Sequence, residues 1–221
     1  MPTPVSIPAA PTARRGRPPM AGLRQNILHA AEVIFTQHDY HEVLMEDVAQ
    51  GCGVGKGTLY RYFPSKHELY LAVMFEGIER LRDELRAAVH APATPAQKIE
   101  RIVRCILEHF WDRRFFFALI HRNEHKPEDP DGREWLRRRA EIARLVEQTL
   151  EEAMAAGYVR HADPRIAAEM LLGMLRGVNR YRTPDDTLDD LVASVVEVFL
   201  CGMATVSGRR HAGVGRRKAG S

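Results

Sequence analysis

No apolar run in this chain approaches the ~18 residues that a membrane-spanning helix needs, so no membrane partner is expected. Cysteine is scarce. Cys52, Cys105 and Cys201 are odd in number and far apart, which excludes a disulfide framework and a paired Cys-x-x-Cys metal site. They are expected to be small buried side chains. Strand-like alternation never lasts more than a few residues, and no internal repeat occurs. The first twenty residues hold Pro and Ala but no continuous apolar stretch. They do not read as a secretory signal, and the expected compartment is the cytoplasm. Acid is missing from both ends. Residues 1–21 carry Arg14, Arg15 and Arg17, and residues 207–221 carry Arg209, Arg210, Arg216, Arg217 and Lys218, without an Asp or Glu in either stretch. Since the net charge is only +3, the body between these tails is acidic on balance. Basic tails suit a polyanion such as DNA, or simply a solvated terminus.

What is present is helical. The 221 residues are 45% hydrophobic and 28% charged, the composition of an ordinary folded chain. Apolar spacing of three and four predicts an all-α fold of about nine helices. The first, about 22–38, carries Leu23, Ile27, Ala30 and Ile34; short ones follow over 45–51 and 55–62. A fourth opens at Ser65-Lys66-His67-Glu68, a capping-box pattern, and reaches about 90. After Ala91-Pro92-Ala93, Thr94 and Pro95 start a fifth, with Ile99, Ile102, Val103, Ile106 and Phe110 as its stripe. A sixth is expected over 112–122, a seventh opened by Asp131 with Glu134 and ended at Gly157. An eighth runs from Asp163-Pro164 to about Tyr181, and a ninth, opened by Thr183-Pro184 or Thr187, spans about 187–205.

The chemistry concentrates in Val48-Ala49-Gln50-Gly51-Cys52-Gly53-Val54-Gly55-Lys56-Gly57-Thr58-Leu59-Tyr60-Arg61-Tyr62-Phe63. A short helix ends at Gly51/Gly53, with Gly53 expected to take positive φ and Val54 to plug the turn. A second short helix follows, giving a helix-turn-helix over about 45–63. Leu59 and Phe63, four apart, face the core. Lys56, Gly57, Thr58, Tyr60, Arg61 and Tyr62 are left for the major groove of double-stranded DNA. Lys66, in the next helix's first turn, is a further candidate for a phosphate contact. The Gly-rich run is not a P-loop: Gln50 stands where the first glycine belongs, Gly57 follows Lys56, and a helix rather than a strand precedes it.

The run Gly53 to Lys66, with Arg24, Ile27-Leu28, Ala30-Ala31, Phe35, Tyr40 and Asp47-Val48-Ala49 upstream, resembles the N-terminal signature of the TetR family of bacterial transcriptional regulators. That resemblance implies a three-helix helix-turn-helix DNA-binding domain over 22–82. A C-terminal helical bundle over 83–206 would bind a ligand and dimerise, between basic, disordered arms at 1–21 and 207–221. It also implies a homodimer through the eighth and ninth helices, a small-molecule effector, and most often repression. The chain departs from the pattern at three places: Asp39 replaces a usual glycine, Val43 and Leu44 replace hydroxyl residues, and Gly55 replaces a serine. Loss of the hydroxyl at the start of the second helix removes a cap worth ~1 kcal/mol and one phosphate contact.

Four further features complete the expectations. Arg14-Arg15-Gly16-Arg17-Pro18 resembles an AT-hook core, suited to a narrow minor groove. Trp111, Phe116, Arg122, Met174 and Arg176 are candidate ligand contacts, with Phe115, Phe117 and Trp135 adding to an aromatic core. Ala167, Met170, Met174 and Val178, then Leu188, Leu191, Val195 and Phe199, form the last two apolar stripes, with Gly173 and Gly177 permitting close approach. His121 and His125 flank Glu124, but no third ligand is indicated and no metal is expected. With no nucleophile elbow, metal cluster or cofactor fingerprint, the chain is expected to be a regulator rather than an enzyme, needing no cofactor. An all-helical ligand carrier or enzyme with an incidental helix-turn-helix is the alternative.

Overall fold

The structure is a computed structural model that describes residues 20–112 and 128–203. Among these residues there are eight helices and no strand: α1 (Met20–Gln37), α2 (Met45–Gly51), α3 (Lys56–Tyr62), α4 (Lys66–His90), α5 (Pro95–His109), α6 (Pro130–Ala155), α7 (Pro164–Tyr181) and α8 (Leu188–Met203). The expected helix over 112–122 lies outside the described residues apart from Asp112, as do the two basic tails apart from Met20 and Ala21, which belong to α1 rather than to the expected arm over 1–21. Trp111 and Asp112 form a turn after α5.

Local chemistry explains where most helices start. Thr94 caps α5 with a complete box: its Oγ1 accepts from Gln97 N–H, and the Gln97 side chain accepts from Thr94 N–H. Ser65 forms only half a box. Its Oγ accepts from Glu68 N–H at 3.1 Å, while the Glu68 carboxylate takes the serine hydroxyl rather than the Ser65 amide. Asp163 caps α7 through Ile166 N–H. One expectation moves, and one open choice is decided. The α6 cap is Asp129, not Asp131, because Pro130 occupies the first turn, where a missing N–H costs nothing; Asp129 Oδ1 accepts from Asp131 N–H. The α8 cap is Thr187, which accepts from Asp190 N–H, whereas Thr183 closes a separate turn on Asp186.

Both positive-φ glycines end helices in the same way. Gly53 (φ 69°) follows α2, and Gly157 (φ 68°) follows α6. At the first, Gly53 N–H donates to Gln50 and Val54 N–H to Ala49; at the second, Gly157 N–H donates to Met154 and Tyr158 N–H to Ala153. These paired bonds satisfy the last free carbonyls of each helix in the Schellman pattern.

α4 is the spine. Twenty-five residues at 1.5 Å each make it about 37 Å long, and α1, α5 and α6 all pack on it. Its buried residues run its full length, from Leu69 through Met74 and Leu81 to Val89. One hydrophobic core therefore continues from the α1–α3 cluster (Ile27, Phe35, Val48, Leu59) into the bundle (Ile102, Leu107, Leu150, Leu171). α5 packs against α4, α6, α7 and α8, α7 packs mainly on α6, and Trp135 of α6 is buried. Cys52 and Cys105 are half-buried, as expected of small core residues, but Cys201 is exposed; none forms a disulfide. Among the described residues no helix is long and apolar enough to cross a membrane.

Candidate nucleic-acid interface

α3 is a seven-residue helix that presents most of its surface to solvent. Leu59 is fully buried and Phe63, at its C-cap, nearly so; this four-residue pair fixes the helix on the core. Lys56, Gly57, Tyr60 and Arg61 are exposed, and Thr58 and Tyr62 half-buried. A Cβ built on Gly57 meets nothing within 4 Å, so the backbone there lies open to an approaching partner. Val54 packs against the core as the plug of the turn.

The exposed cations are tethered loosely. The Lys56 ammonium pairs with Glu46 of α2, with both side chains more than half exposed. Hydrogen bonding to Lys56 holds the Glu46 carboxyl below its usual range, and Glu46 holds the Lys56 ammonium above its own. The pair links the two helices of the motif, and a phosphate reaching Lys56 has to displace Glu46. The Arg61 guanidinium lies 5.8 Å from the Tyr62 ring, and Arg24 of α1 lies 5.5 Å from the Phe63 ring.

Lys66 is placed differently from expectation. Its Nζ donates to the carbonyls of Tyr40 (2.8 Å), Val43 (3.0 Å) and His41 (3.4 Å), and sits 4.6 Å from the Tyr40 ring centre. An ammonium has three protons, and here all three are engaged within the protein. The α1–α2 turn also carries the departures noted in the sequence. Asp39 accepts from His41 N–H through Oδ1 and from Glu42 N–H through its carbonyl. Val43 is buried, and Leu44 stands at the N-cap of α2, 56% exposed and with no capping side-chain bond.

Three contacts tie the spine, α4, to α6 of the bundle. His67 Nε2 lies 3.0 Å from Asp131 Oδ2 at the start of α6. Arg138 of α6 pairs with Glu79 and stacks on Phe75 at 4.7 Å. Arg82 bonds Glu141 at 3.1 Å. Between these helices and the end of α3 lies a cleft of about 630 Å³, lined by Arg24, Phe63, Phe75 and Arg138 among others.

Phe116 and Arg122 lie outside the described residues, as do Arg14, Arg15 and Arg17. Trp111, Met174 and Arg176 are half-buried, Met174 against the core. Sequence reading missed Arg182, whose guanidinium lies 4.3 Å from the Trp111 ring centre and donates to the carbonyls of Phe110 and Trp111. It fastens the end of α5 to the end of α7, and no sequence spacing signals so long-range a contact. Trp135 Nε1 and Asn179 Oδ1 are buried without a hydrogen-bond partner among the described residues. Burial, and the nearby Glu84 and Glu108 carboxylates, push the Cys105 thiol up to about 12. Among the described residues no group of His, Cys, Asp and Glu could hold a metal ion.

The stripes on α7 and α8 also divide differently from expectation. Ala167, Val195 and Phe199 are buried within the protomer, while Ile166, Met170, Tyr181 and Val198 are exposed.

A seven-residue helix held by its inner face, behind a Schellman turn and at the head of a long spine, defines a helix-turn-helix DNA-binding regulator. Residues 27–73 match the family model "Bacterial regulatory proteins, tetR family", and residues 92–203 match "Tetracyclin repressor-like, C-terminal domain". The chain belongs to the TetR family of transcriptional regulators and is not an enzyme. It is 31% identical over 121 residues to the HTH-type transcriptional activator FasR of Mycolicibacterium smegmatis, a match covering 55% of each chain. It is 24% identical over 156 residues to the HTH-type transcriptional regulator UidR of Escherichia coli, covering 70% of this chain and 79% of that one. The fold is shared with a TetR/AcrR-family regulator of Thermobifida fusca (TM-score 0.69, 23% identity, 81% of this chain and 97% of that one). It is likewise shared with AibR, solved with isovaleryl coenzyme A and operator DNA (TM-score 0.65, 21% identity, 80% and 97%).

Proposed function

We propose that this chain grips a two-fold operator as a homodimer and is released by a small, largely apolar ligand, acting as a repressor in the cytoplasm. The observation that carries the DNA reading is the outer face of α3, where Lys56, Gly57, Tyr60 and Arg61 are exposed on a helix whose inner face is fixed by Leu59. Lys56 and Arg61 supply phosphate or guanine contacts, and Thr58, Tyr60 and Tyr62 supply hydroxyls. Arg14, Arg15 and Arg17 extend the footprint into a flanking A·T minor groove. A dimer is supported by the exposed apolar side chains Ile166, Met170 and Tyr181 on α7 and Val198 on α8, with Gly173 and Gly177 open for close approach.

The ligand reading is supported by buried polar atoms left unmet among the described residues, such as the Trp135 donor and the Asn179 acceptor. Each costs about 1–3 kcal/mol if left unmet, and a ligand polar group would meet either. An apolar acyl ligand is further supported by fold neighbours named as a fatty acid degradation regulator and as AibR with isovaleryl coenzyme A. Ligand-driven movement of α6 reaches the DNA module through His67–Asp131 and Arg138–Glu79. Half-sites lie about 34–36 Å apart, so a re-spaced dimer loses one of them, with a typical coupling of about 1–3 kcal/mol.

The test uses a duplex selected from a random pool, titrated over a salt series, with sedimentation in parallel. A salt-sensitive dimeric complex is expected, and Val198→Arg should break dimer and complex together. Isovaleryl and longer acyl-coenzyme A thioesters are the ligand probes. A monomeric complex overturns the dimer; affinities within twofold for every probe overturn the acyl-ligand reading while leaving the DNA reading intact.

A further inference from the structure

We propose that Lys66 serves DNA binding at one remove, as a positioning residue that clamps the α1–α2 turn, and not as a phosphate ligand. The proposal rests on α3 being the element that meets DNA. The three carbonyls on its ammonium, those of Tyr40, His41 and Val43, belong to one turn. Besides Lys66, that turn is held by short-range bonds of its own, with Asp39 accepting from His41, Glu42 and Val43 N–H, and it has no capping side chain to close it onto α2. The position that usually holds glycine is Asp39, and the α2 N-cap, Leu44, makes no side-chain bond. Lys66 itself sits in the first turn of α4, where the helix dipole disfavours a cation. The converging carbonyls offset that cost, and the Tyr40 ring covers the ammonium from one side. Tyr40 in turn packs on Phe35 and Tyr70, 6.2 and 5.2 Å away. A chain of contacts therefore runs from α4 through Lys66 to the turn, and from the turn to α2, whose Met45, Val48 and Ala49 are buried. α3 follows α2 across the Gly53 turn and buries only Leu59 within its own length, so its orientation depends on α2 as well as on the Leu59–Phe63 anchor.

The chemistry separates this role from a phosphate contact. A lysine that meets phosphate can be replaced by arginine with little loss, because both carry the charge. A lysine that gathers three convergent carbonyls cannot, because the guanidinium is planar and its donors diverge.

Lys66→Met and Lys66→Arg would be compared with the full wild-type chain in two measurements. The first is amide hydrogen exchange without DNA. The amides of Glu42, Val43, Asp47 and Val48 bond within or just after the turn. They should exchange at least about tenfold faster in both variants, with α4 and α5 amides unchanged. The second is affinity for a selected duplex over a salt series. Both variants should bind at least about tenfold more weakly at every salt concentration, with the wild-type slope retained; loss of a phosphate contact would instead lower the slope by about 0.9. Unchanged exchange at these four amides overturns the clamp. A reduced slope, or wild-type affinity for Lys66→Arg, restores the phosphate contact. Should Lys66→Met fail to fold, Lys66→Arg carries both measurements alone. Exchange is read without DNA, so a failure of α3 to bind DNA would show only in the second measurement.

Discussion

The DNA-binding module and the bundle behind it are held together by different means. α2 and α3 have seven residues each, bury three side chains and one, and start without a side-chain cap. α4, α5, α6 and α7 all start with a capping side chain, and α5 alone buries six of its fifteen residues. Helices shorter than about 12 residues are marginal alone, so α2 and α3 depend on what surrounds them: a glycine turn, the Lys66 clamp and one or two core side chains. The bundle helices are specified locally as well as by packing. A surface that must present side chains and backbone to DNA leaves few residues with which to anchor itself.

The two glycine turns offer the sharpest way to break that contrast. Gly53→Ala and Gly157→Ala each place a Cβ at positive φ with no steric neighbour within 4 Å, so each should cost about 1–2 kcal/mol of conformational strain. In the module the loss should fall on α3 and lower operator affinity severalfold or more. In the bundle it should lower the melting temperature and leave operator affinity within twofold. Thermal melts and DNA titrations on both variants measure the pair; equal effects on DNA binding would erase the distinction. A smaller effect of opposite sign is expected for Leu44→Thr, which gives α2 the cap it lacks. It should stabilise the chain by about 1 kcal/mol and, by offering a hydroxyl to a phosphate, steepen the salt dependence by at most ~0.9. The smallest effect concerns the bundle's surface. Hydrogen bonds from Arg137 and Arg138 hold the Glu134 carboxyl at about 2, against about 4.3 for an unfolded chain. A depressed folded pKa adds stability above the unfolded value, and that stability is lost as pH falls towards 2. Glu134→Gln should therefore flatten the acid limb of stability between about pH 4 and 2 and change little at neutrality, as measured by denaturant midpoints across that range.

Most of the fold was legible because helix boundaries are written in local chemistry. Asp163-Pro164 and Thr94-Pro95 mark their helices without ambiguity, and the Gly53 turn with Leu59 and Phe63 facing inward followed from spacing alone. The one misassigned cap, Asp131 in place of Asp129, and the open choice between Thr183 and Thr187 arose where capping side chains stand close together, and only geometry separates them. The bonding of Lys66 was not legible for a deeper reason. Its partners are backbone carbonyls more than twenty residues away, and carbonyls leave no trace in side-chain identity. The apolar stripes of α7 and α8 were visible, but periodicity does not say which side of a stripe the protomer keeps for itself. Met170 and Val198 face outward while Val195 and Phe199 do not.

Trp111 and Trp135 are the chain's two tryptophans, and both stand outside the helix-turn-helix. One lies under the Arg182 guanidinium and the other is buried in α6. Intrinsic fluorescence excited at the indole band is therefore blind to the recognition surface. DNA bases stacking or bonding at α3 touch no emitter. Any change in tryptophan emission on adding an operator duplex has to travel through the protein, making an unlabelled fluorimeter a direct gauge of communication between the two halves.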